Sequence, residues 1–299
     1  MDGIINIYKE PGFTSHDVVA KLRGILHQKK IGHTGTLDPA ASGVLPVCCG
    51  SATKVCGLLT GQDKSYHAIC RLGIETDTQD MEGRIIRECS TEGITEEDII
   101  NCVKQFEGEI MQIPPMYSAL KAGGKRLYEL AREGKTIERP KRQVTIYSIK
   151  VTCMDIKNSR FSMDITCSKG TYIRTLCHDI GIKLNSAAAM EKLVRTRVSM
   201  FKIEDAVTLK EVQEVAKCQP EKLKDYFTPV DAILAGYKKA QVKSSFAKKL
   251  ANGNKLSTAM LDMEEEAAAG ENILVYNENG AFKAIYTKEG KEYKVNKMF

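Results

Sequence analysis

A segment of fifteen residues near the N-terminus, from Gly32 to Pro46, constrains the fold more than any other part of the chain. It reads GHTGTLDPAASGVLP, with glycine at positions 32, 35 and 43 and proline at 39 and 46. Glycine widens the backbone conformations available, whereas proline fixes φ and removes an N–H donor. The sequence therefore predicts a shaped loop here, not a regular helix or strand. This loop presents the imidazole of His33 and the carboxylate of Asp38, and such loops often carry acid–base chemistry.

Length and composition limit the classes of protein to be considered. The 299 residues are 42% hydrophobic, which is enough to fill the core of one large domain and a smaller one. The net charge of +6, from 44 Lys and Arg against 38 Asp and Glu, modestly favours a nucleic-acid partner. The sequence contains no apolar run of about eighteen residues, so no membrane span is expected.

The N-terminus and the cysteines predict a cytoplasmic location. The opening residues MDGIINIYKEPG lack a charged segment followed by an apolar one, so no secretory signal is expected. The ten cysteines are scattered without a C-x-x-C pair, which argues against zinc ligation and favours reduced thiols. The sequence also lacks a phosphate-binding loop and a convincing dinucleotide motif, so we expect neither a cofactor nor a metal.

Periodicity predicts alternating strands and helices over most of the chain. Thr14 or Ser15 begins a helix, and Thr95 begins another with Ile99 and Ile100 both directed inward. Further helices follow Gly170 and Thr208. The predicted strands cover residues 4–8, 64–72, 144–152 and 161–166.

The pattern changes after about residue 236. We predict a helix over 243–251, an acidic segment over 262–270, and strands at 273–276 and 282–286. The residues Asn277–Gly280 between these strands are typical of a hairpin turn. The sequence thus divides into a domain of residues 1–236 and a small β-rich domain of residues 237–299.

Several motifs, taken in order, resemble the TruB-type tRNA pseudouridine synthases. The segment GHTGTLDPxASGVLP is the signature of that family, and Lys64-Ser65-Tyr66, KGTYIRT at 169–175 and the LVRTR string at 193–197 match further blocks. The family pattern is also present in YKEPGFTS, GIETDTQDMEG and IPPMYSALKAGGKRLYELAREG. The resemblance covers residues 3 to about 205. It implies an α+β fold with a mixed, largely antiparallel central sheet flanked by helices, followed by a PUA-like RNA-binding module.

The same resemblance implies roles for individual residues. Asp38 is the essential catalytic carboxylate, and Arg174 forms an ion pair with it that we expect to lower its pKa. Tyr66 and Tyr172 contact the target base, because a tyrosine combines a flat apolar face with a hydroxyl. Leu193 forms an apolar wall of the base pocket.

Two more residues complete the implied substrate site. His33 helps to hold the extruded nucleotide, and Lys9 is a further substrate-binding residue. The segment from Ile113 to Gly134 interleaves basic and aromatic side chains, which suits an RNA backbone and unstacked bases.

The reaction that this resemblance implies is the isomerisation of uridine 55 in the T-loop of tRNA. The bond from ribose to nitrogen 1 of uracil breaks, the base turns, and carbon 5 joins the ribose after the base has left the stack. Attack of Asp38 on uracil carbon 6, its attack on the ribose, and proton removal from the ribose all remain open. The implied partner is the T-stem-loop of tRNA. We expect the protein to bind it as a monomer and to have no membrane partner.

Ordinary structural roles and other functions are the alternatives to this interpretation. A Leu-Asp-Pro triplet usually forms only a turn. Tyr66 and Leu193 could be ordinary residues of the hydrophobic core, and Arg174 could be an ordinary surface cation. A non-catalytic RNA-binding protein or tRNA-folding chaperone on this scaffold is the alternative, while no spacing supports a cysteine or histidine hydrolase. The chain also departs from the family at Asn185–Ala189, where a Gly-x-x-Ala-His segment is common, and at Val194, which replaces an arginine.

Overall fold

Two large β-sheets, of ten and six strands, organise the chain, and the computed structural model describes all 299 residues. The α-helices are α1 (Ser15–Ile25), α2 (Cys56–Thr60), α3 (Glu96–Lys104), α4 (Leu127–Arg132), α5 (Ile173–Lys183), α6 (Leu209–Cys218) and α7 (Ala247–Ala251). The first ten strands are β1 (Gly3–Lys9), β2 (Ile31–His33), β3 (Ser42–Cys49), β4 (Lys64–Leu72), β5 (Ile74–Thr76), β6 (Ile85–Glu88), β7 (Gly108–Gln112), β8 (Lys121–Ala122), β9 (Lys125–Arg126) and β10 (Arg142–Asp155). The other ten are β11 (Arg160–Cys167), β12 (Ala188–Val198), β13 (Phe201–Lys202), β14 (Phe227–Thr228), β15 (Lys238–Val242), β16 (Leu256–Ser257), β17 (Leu261–Asp262), β18 (Asn272–Tyr276), β19 (Phe282–Glu289) and β20 (Glu292–Met298).

The ten-stranded sheet is mixed and largely antiparallel, which confirms the predicted α+β class. Its main order is β14-β1-β3-β12-β4-β11-β10-β7, with β2 paired to β3 and β13 paired to β12. The parallel pair is β3 with β12, where Val194 lies opposite Ser42 and Arg195 lies opposite Gly43. The predicted strands at 4–8, 64–72, 144–152 and 161–166 all lie in this sheet.

Helix α1 forms where its cap and its apolar face both predict it. Thr14 is the N-cap, and a reciprocal pair of hydrogen bonds with Asp17 completes a capping box. Val18, Val19 and Leu22 are buried in one cluster with residues of β1 and β3. The capped helix is thereby fixed against β1 and against β3, the strand that follows the Asp38 loop.

Helix α3 is capped by Thr95, as predicted, but the prediction that Ile100 is directed inward was wrong. Ile99 is fully buried, whereas Ile100 is 47% exposed. Successive residues of a helix point about 100° apart, so a neighbour of a central core residue can lie at the edge of the apolar face. The buried positions of this helix are Ile99, Cys102 and Val103.

The prediction of one continuous loop over residues 32–46 was wrong at both ends. His33 ends β2, and β3 begins at Ser42, so Gly43 and Pro46 lie within a strand. Pro46 has no N–H to donate within β3, but its carbonyl accepts hydrogen bonds from the backbone N–H and the hydroxyl of Thr34. The shaped loop is therefore shorter and spans residues 34–41.

Periodicity did not predict several further strands, among them β12, which contains Leu193, and the final strand β20. The helix expected over 243–251 is a 3-10 turn at Ser244–Phe246 followed by the short α7. Pairing with the distant strands β3 and β4 decided β12, and short-range patterns do not register such pairing. The strand β20 forms a hairpin with β19, which precedes it directly in the chain.

The six-stranded sheet is formed by the C-terminal residues, in the order β16-β20-β19-β18-β15-β17. Tyr286 and Tyr293 are fully buried in its own apolar cluster. A second cluster joins this sheet to the first, because Leu274 and Ile285 pack with Ile4 and with other residues of the large sheet. The two sheets therefore share apolar core.

Candidate active site

The loop of residues 34–41 is held from the side of α1 and β1. The hydroxyl of Ser15 accepts a hydrogen bond from the backbone N–H of Leu37 at 2.9 Å. The ammonium of Lys9 donates to the carbonyls of Glu10, Phe13 and Pro39 at 3.1, 2.6 and 3.1 Å. Both residues are fully buried.

The position of Lys9 differs from the sequence expectation. Its side chain is 0% exposed, and burial lowers its pKa to about 8 although the nearby Asp38 opposes that shift. All three ammonium donors are used by main-chain carbonyls. Lys9 therefore supports the Asp38 loop instead of lying open to a substrate.

Arg195 holds the same loop from the side of the sheet. Its Nε donates to the carbonyl of Val44 at 2.7 Å, and its terminal nitrogens donate to Thr36 and Gly35 at 3.5 and 3.3 Å. The residue is 1% exposed, and Leu37 at the centre of the loop packs in the main core. Buried donors and a buried apolar anchor thus fix the backbone on both sides of Asp38.

Arg174, in the first turn of α5, binds the carboxylate of Asp38. Its Nε lies 3.0 Å from one carboxylate oxygen, and one terminal nitrogen lies 3.4 Å from the other. The remaining contacts are with Asp80 at 3.4 Å and with the carbonyls of Thr78 and Tyr117 at 3.0 and 2.7 Å. Because the planar guanidinium is only 6% exposed and has a partner on every side, it fixes the orientation of the carboxylate.

The net shift in the pKa of Asp38 is the opposite of the one expected from the sequence. Burial raises this pKa above its ordinary value of 3.8, and the charge of Asp80 adds to the rise. Arg174 and Lys9 act in the lowering direction but do not outweigh burial. The side chain is still 37% exposed, so the carboxylate remains accessible from the open side of the site.

Two tyrosines lie near this carboxylate. Tyr66 on β4 is 8% exposed, and burial raises its pKa to about 12, so its hydroxyl keeps its proton at neutral pH. Burial also raises the pKa of Tyr172, the N-cap residue of α5. The charge of Asp38 makes a smaller contribution to the rise in the pKa of both phenols.

Leu193 completes the apolar side of the site. It lies on β12 opposite Ala68 of β4, is 7% exposed, and belongs to the same core cluster as Leu37 and Tyr66. A leucine wall beside a buried phenol gives an apolar surface suited to a flat ring.

His33 lies at the end of β2, before the loop. Its Nδ1 accepts a hydrogen bond from the backbone N–H of Gly35 at 3.3 Å, and its ring meets that of His16 edge-on at 5.3 Å. Burial, followed by the charges of His16 and Arg195, lowers its pKa. Because Nδ1 accepts the hydrogen bond from Gly35, the neutral imidazole carries its proton on Nε2. The Nε2–H group is therefore the donor of this side chain.

Asp80 and Gln112 are among the residues that the structure brings to the site and that were not predicted from the sequence. Asp80 contacts Arg174 from the turn between β5 and β6, and its segment TDTQD was noted only as part of a motif. Gln112 is 1% exposed, accepts from the backbone N–H of Tyr172 at 3.0 Å and donates to its carbonyl at 3.2 Å. No local pattern marks Gln112, because Tyr172 lies 60 residues further along the chain.

The remaining features of the structure bear on cofactors and membranes. All ten cysteines are free. No group of three or more His, Cys, Asp or Glu side chains is arranged to hold a metal ion. None of the helices has the length and apolar character needed to span a bilayer.

Together these contacts define a class of site. A carboxylate held by an arginine lies at the surface of a mixed sheet, with two protonated phenols and an apolar wall beside it. Such a site can perform nucleophilic or general-base chemistry on a flat, polar ring.

Comparison with known proteins identifies the family. Residues 23–173 match the model of the TruB family pseudouridylate synthase N-terminal domain, and residues 174–235 match that of the tRNA pseudouridylate synthase B C-terminal domain. The chain therefore belongs to the TruB family of pseudouridylate synthases.

Individual relatives agree over the full length. The chain is 44% identical over 298 residues to tRNA pseudouridine synthase B of Clostridium perfringens, covering 100% of this chain and 99% of that one. It is 47% identical over 309 residues to the protein of the same name from Lachnoclostridium phytofermentans, with 100% of both chains covered.

Solved structures share the fold. One chain of the crystal structure of a Cbf5-Nop10-Gar1 complex superposes with a TM-score of 0.74 at 29% identity, over 99% of this chain and 84% of that one. A chain of an H/ACA RNP bound to a substrate RNA containing 2'-deoxyuridine superposes with the same TM-score at 27% identity and the same coverage.

Proposed function

We propose that this protein isomerises uridine 55 in the T-loop of tRNA to pseudouridine, with Asp38 as the essential catalytic carboxylate. Family membership and the relatives named tRNA pseudouridine synthase B support the reaction and the substrate. The observation that carries the role of Asp38 is its double contact with Arg174, beside Tyr66 and Tyr172.

In this proposal the target base leaves the T-loop stack and enters the space next to Asp38. Tyr66 and Leu193 provide a flat apolar surface, Tyr172 packs on the base, and His33 donates from Nε2 to the extruded nucleotide. The bond between ribose carbon 1 and uracil nitrogen 1 breaks, and carbon 5 bonds to the same ribose carbon. A proton leaves carbon 5 and nitrogen 1 gains one, so the product is an isomer.

Asp38 must be ionised in each of its candidate roles. Attack on uracil carbon 6, attack on the ribose and proton removal from the ribose all use a carboxylate lone pair. Arg174 opposes the effect of burial on the pKa of Asp38 and so favours the charged form. The same guanidinium orients the two oxygens.

We propose that two other regions bind the RNA. The first is the segment Ile113–Gly134, where Arg126 and Arg132 lie 5.8 and 5.5 Å from the ring centre of Tyr128. Arginines around an aromatic ring suit phosphates and unstacked bases. The second is a PUA-like domain of residues 237–299, which follows a catalytic domain of residues 1–236.

The site is complete within one chain, since Asp38, Tyr66, Tyr172 and Arg174 come from the same polypeptide, and we propose a monomer. We further propose the T-stem-loop of tRNA as the recognised element. Since tRNA is matured in the cytoplasm of bacteria, such as those that supply the relatives, we propose that location.

The decisive experiment maps pseudouridine in a T-arm transcript incubated with purified protein alone. The wild type is expected to convert the T-loop uridine. Asp38→Asn is expected to abolish conversion while RNA affinity changes less than about tenfold, or about 1.4 kcal/mol. Asp164→Asn is the matched control, because Asp164 is a largely exposed carboxylate on β11 that contacts His67 and not Arg174.

Each outcome separates this function from a non-catalytic one. Salt-sensitive RNA binding by the wild type without any pseudouridine would indicate an RNA-binding protein or chaperone on the same scaffold. Full conversion by Asp38→Asn would overturn the role assigned to Asp38.

A further inference from the structure

Helix α5 does more than present Arg174, because its first turns contact the segment Ile74–Glu88, here called the Asp80 hairpin. This hairpin consists of β5, β6 and the turn between them. Three side-chain contacts join it to the helix at separations of 3.4, 2.9 and 3.1 Å. In order along the helix they are Arg174–Asp80, Thr175–Gln79 and His178–Glu75.

The third contact places an imidazole between two carboxylates. Nε2 of His178 lies 3.1 Å from Glu75, and Nδ1 lies 3.4 Å from Asp179. Both ring nitrogens must carry a proton to donate to both carboxylates, and a neutral imidazole carries only one. The geometry therefore fits the doubly protonated imidazolium, which lies among side chains that are at most about one-third exposed.

The surrounding charges favour the same state. The hydrogen bond to Asp179 and then that to Glu75 raise the pKa of His178 above 6.5, although burial opposes them. Arg87 on β6 donates to the other oxygen of Glu75 at 2.7 Å. The other elements packed against α5, which are α3, β4 and β12, contribute no ion-pair partner to His178.

This contact has a direct path to the catalytic carboxylate. The Asp80 hairpin supplies two of the acceptors of Arg174, the carbonyl of Thr78 and the carboxylate of Asp80. Arg174 and His178 are four residues apart and lie on the same side of the helix. Loosening the hairpin at Glu75 would therefore release the partners that orient Arg174 toward Asp38.

We propose that His178 is a positioning residue whose imidazolium fastens the Asp80 hairpin to α5 and thereby keeps Arg174 oriented toward Asp38. This inference rests on the proposed function. His178 does not touch the reacting atoms, and its effect is expected in the rate of the chemical step and not in RNA affinity.

The proposal implies a pH dependence with a definite sign. The imidazolium is fully present below the ordinary pKa of 6.5 and is lost as pH rises through the raised pKa of the folded protein. The single-turnover rate on T-arm RNA should therefore decline on the alkaline side. For a partly buried ion pair we expect a decline of about two- to fivefold.

Three variants test this dependence. The single-turnover rate of His178→Gln should not decline with rising pH. It should equal the low alkaline rate of the wild type at every pH, while the Kd for RNA stays that of the wild type. His178→Arg keeps a cation with donors for both carboxylates and should show the higher rate at every pH. His67→Gln is the control, because His67 pairs with Asp164 at 2.7 Å outside the Asp80 hairpin, and it should follow the wild type.

A second measurement needs no activity. At about pH 6, amide hydrogen exchange in residues 74–88 should be faster in His178→Gln than in the wild type. An unchanged pH profile in His178→Gln, or equal exchange in the two proteins, would overturn the inference. A wild type that makes no pseudouridine would refute the proposed function and leave the exchange comparison standing as the test.

Discussion

At the scale of single residues, Asp38 is subject to two opposing requirements. Its chemistry needs the carboxylate to be charged and accessible, while its surroundings raise its pKa because they bury it. Because the pKa of Asp38 is higher in the folded protein than in the unfolded chain, its charged form destabilises the fold at pH values above the raised pKa. The cost is relieved as pH falls through the raised pKa.

This conflict predicts that removing the charge does not weaken the fold. Asp38→Asn should leave the free energy of unfolding at pH 7 unchanged or raise it by up to about 1 kcal/mol, a small gain because the side chain is 37% exposed. Arg174 keeps Asp80 as a partner in this variant. Urea denaturation of both proteins at several pH values checks this, and the difference should shrink toward acid pH. A clear loss of stability at pH 7 would contradict it.

Gln112 makes a second prediction at this scale. Gln112→Leu removes the partner of the backbone N–H of Tyr172 next to the buried position 112, while the carbonyl of Tyr172 keeps the N–H of Leu176. We expect a loss of about 1–3 kcal/mol of stability, the usual cost of unpaired buried polar groups, together with a lower kcat on T-arm RNA. Gln143→Leu, on the neighbouring β10 and exposed, is the control for urea denaturation and kinetics. Equal effects of the two substitutions would argue against the anchoring role of Gln112.

At the scale of elements, the parallel pair of β3 and β12 joins the Asp38 loop to the centre of the sheet. Gly43, the second residue of β3, has φ +104°, a conformation that favours glycine. A Cβ there would lie 2.2 Å from the carbonyl oxygen of Arg195. The close approach of these two backbones therefore depends on the absence of a side chain.

Gly43→Ala should consequently separate the two strands. We expect a loss of about 3 kcal/mol or more in the free energy of unfolding, because both the clash and the positive φ oppose the change. Gly24→Ala is the control, since nothing lies within 4 Å of a Cβ added at this position in α1. That variant should gain about 0.5–1 kcal/mol. Chemical denaturation that gives similar values for both would contradict the role of the close approach.

At the scale of the whole molecule, the two large sheets are joined by an apolar cluster. Ile285 of β19 is 3% exposed and packs with Ile4 and Val230 from the other part of the chain. The hydroxyl of Tyr276 also donates to Asp231 at 2.9 Å across the same junction. A shared core of this kind favours cooperative unfolding.

Ile285→Ala should therefore lower the stability of the entire protein. We expect one calorimetric transition in the wild type and one, at lower temperature, in the variant, with a loss of about 2–5 kcal/mol. Ile86→Ala is the matched control, because Ile86 is 59% exposed and its truncation leaves no cavity. Two separate transitions in the wild type would show that the sheets unfold independently.

Local signals in the sequence determined the caps of α1 and α3, the central strands with period-two alternation, and the order of motifs that identified the family. The resemblance carried by those motifs also implied that Asp38 and Arg174 form a pair. These features depend on neighbouring residues or on strings that stay together in the chain, so they can be read without coordinates.

Tertiary structure alone decided the rest. The parallel register of β3 and β12, the burial of Lys9, the arrival of Asp80 and the backbone clamp of Gln112 all join residues far apart in sequence. The direction of the pKa shift at Asp38 belongs to the same group, because burial, which only the folded chain creates, outweighs the charge of Arg174. Residue types specify which interactions are available, but three-dimensional packing determines which of them form and which of the competing effects prevails.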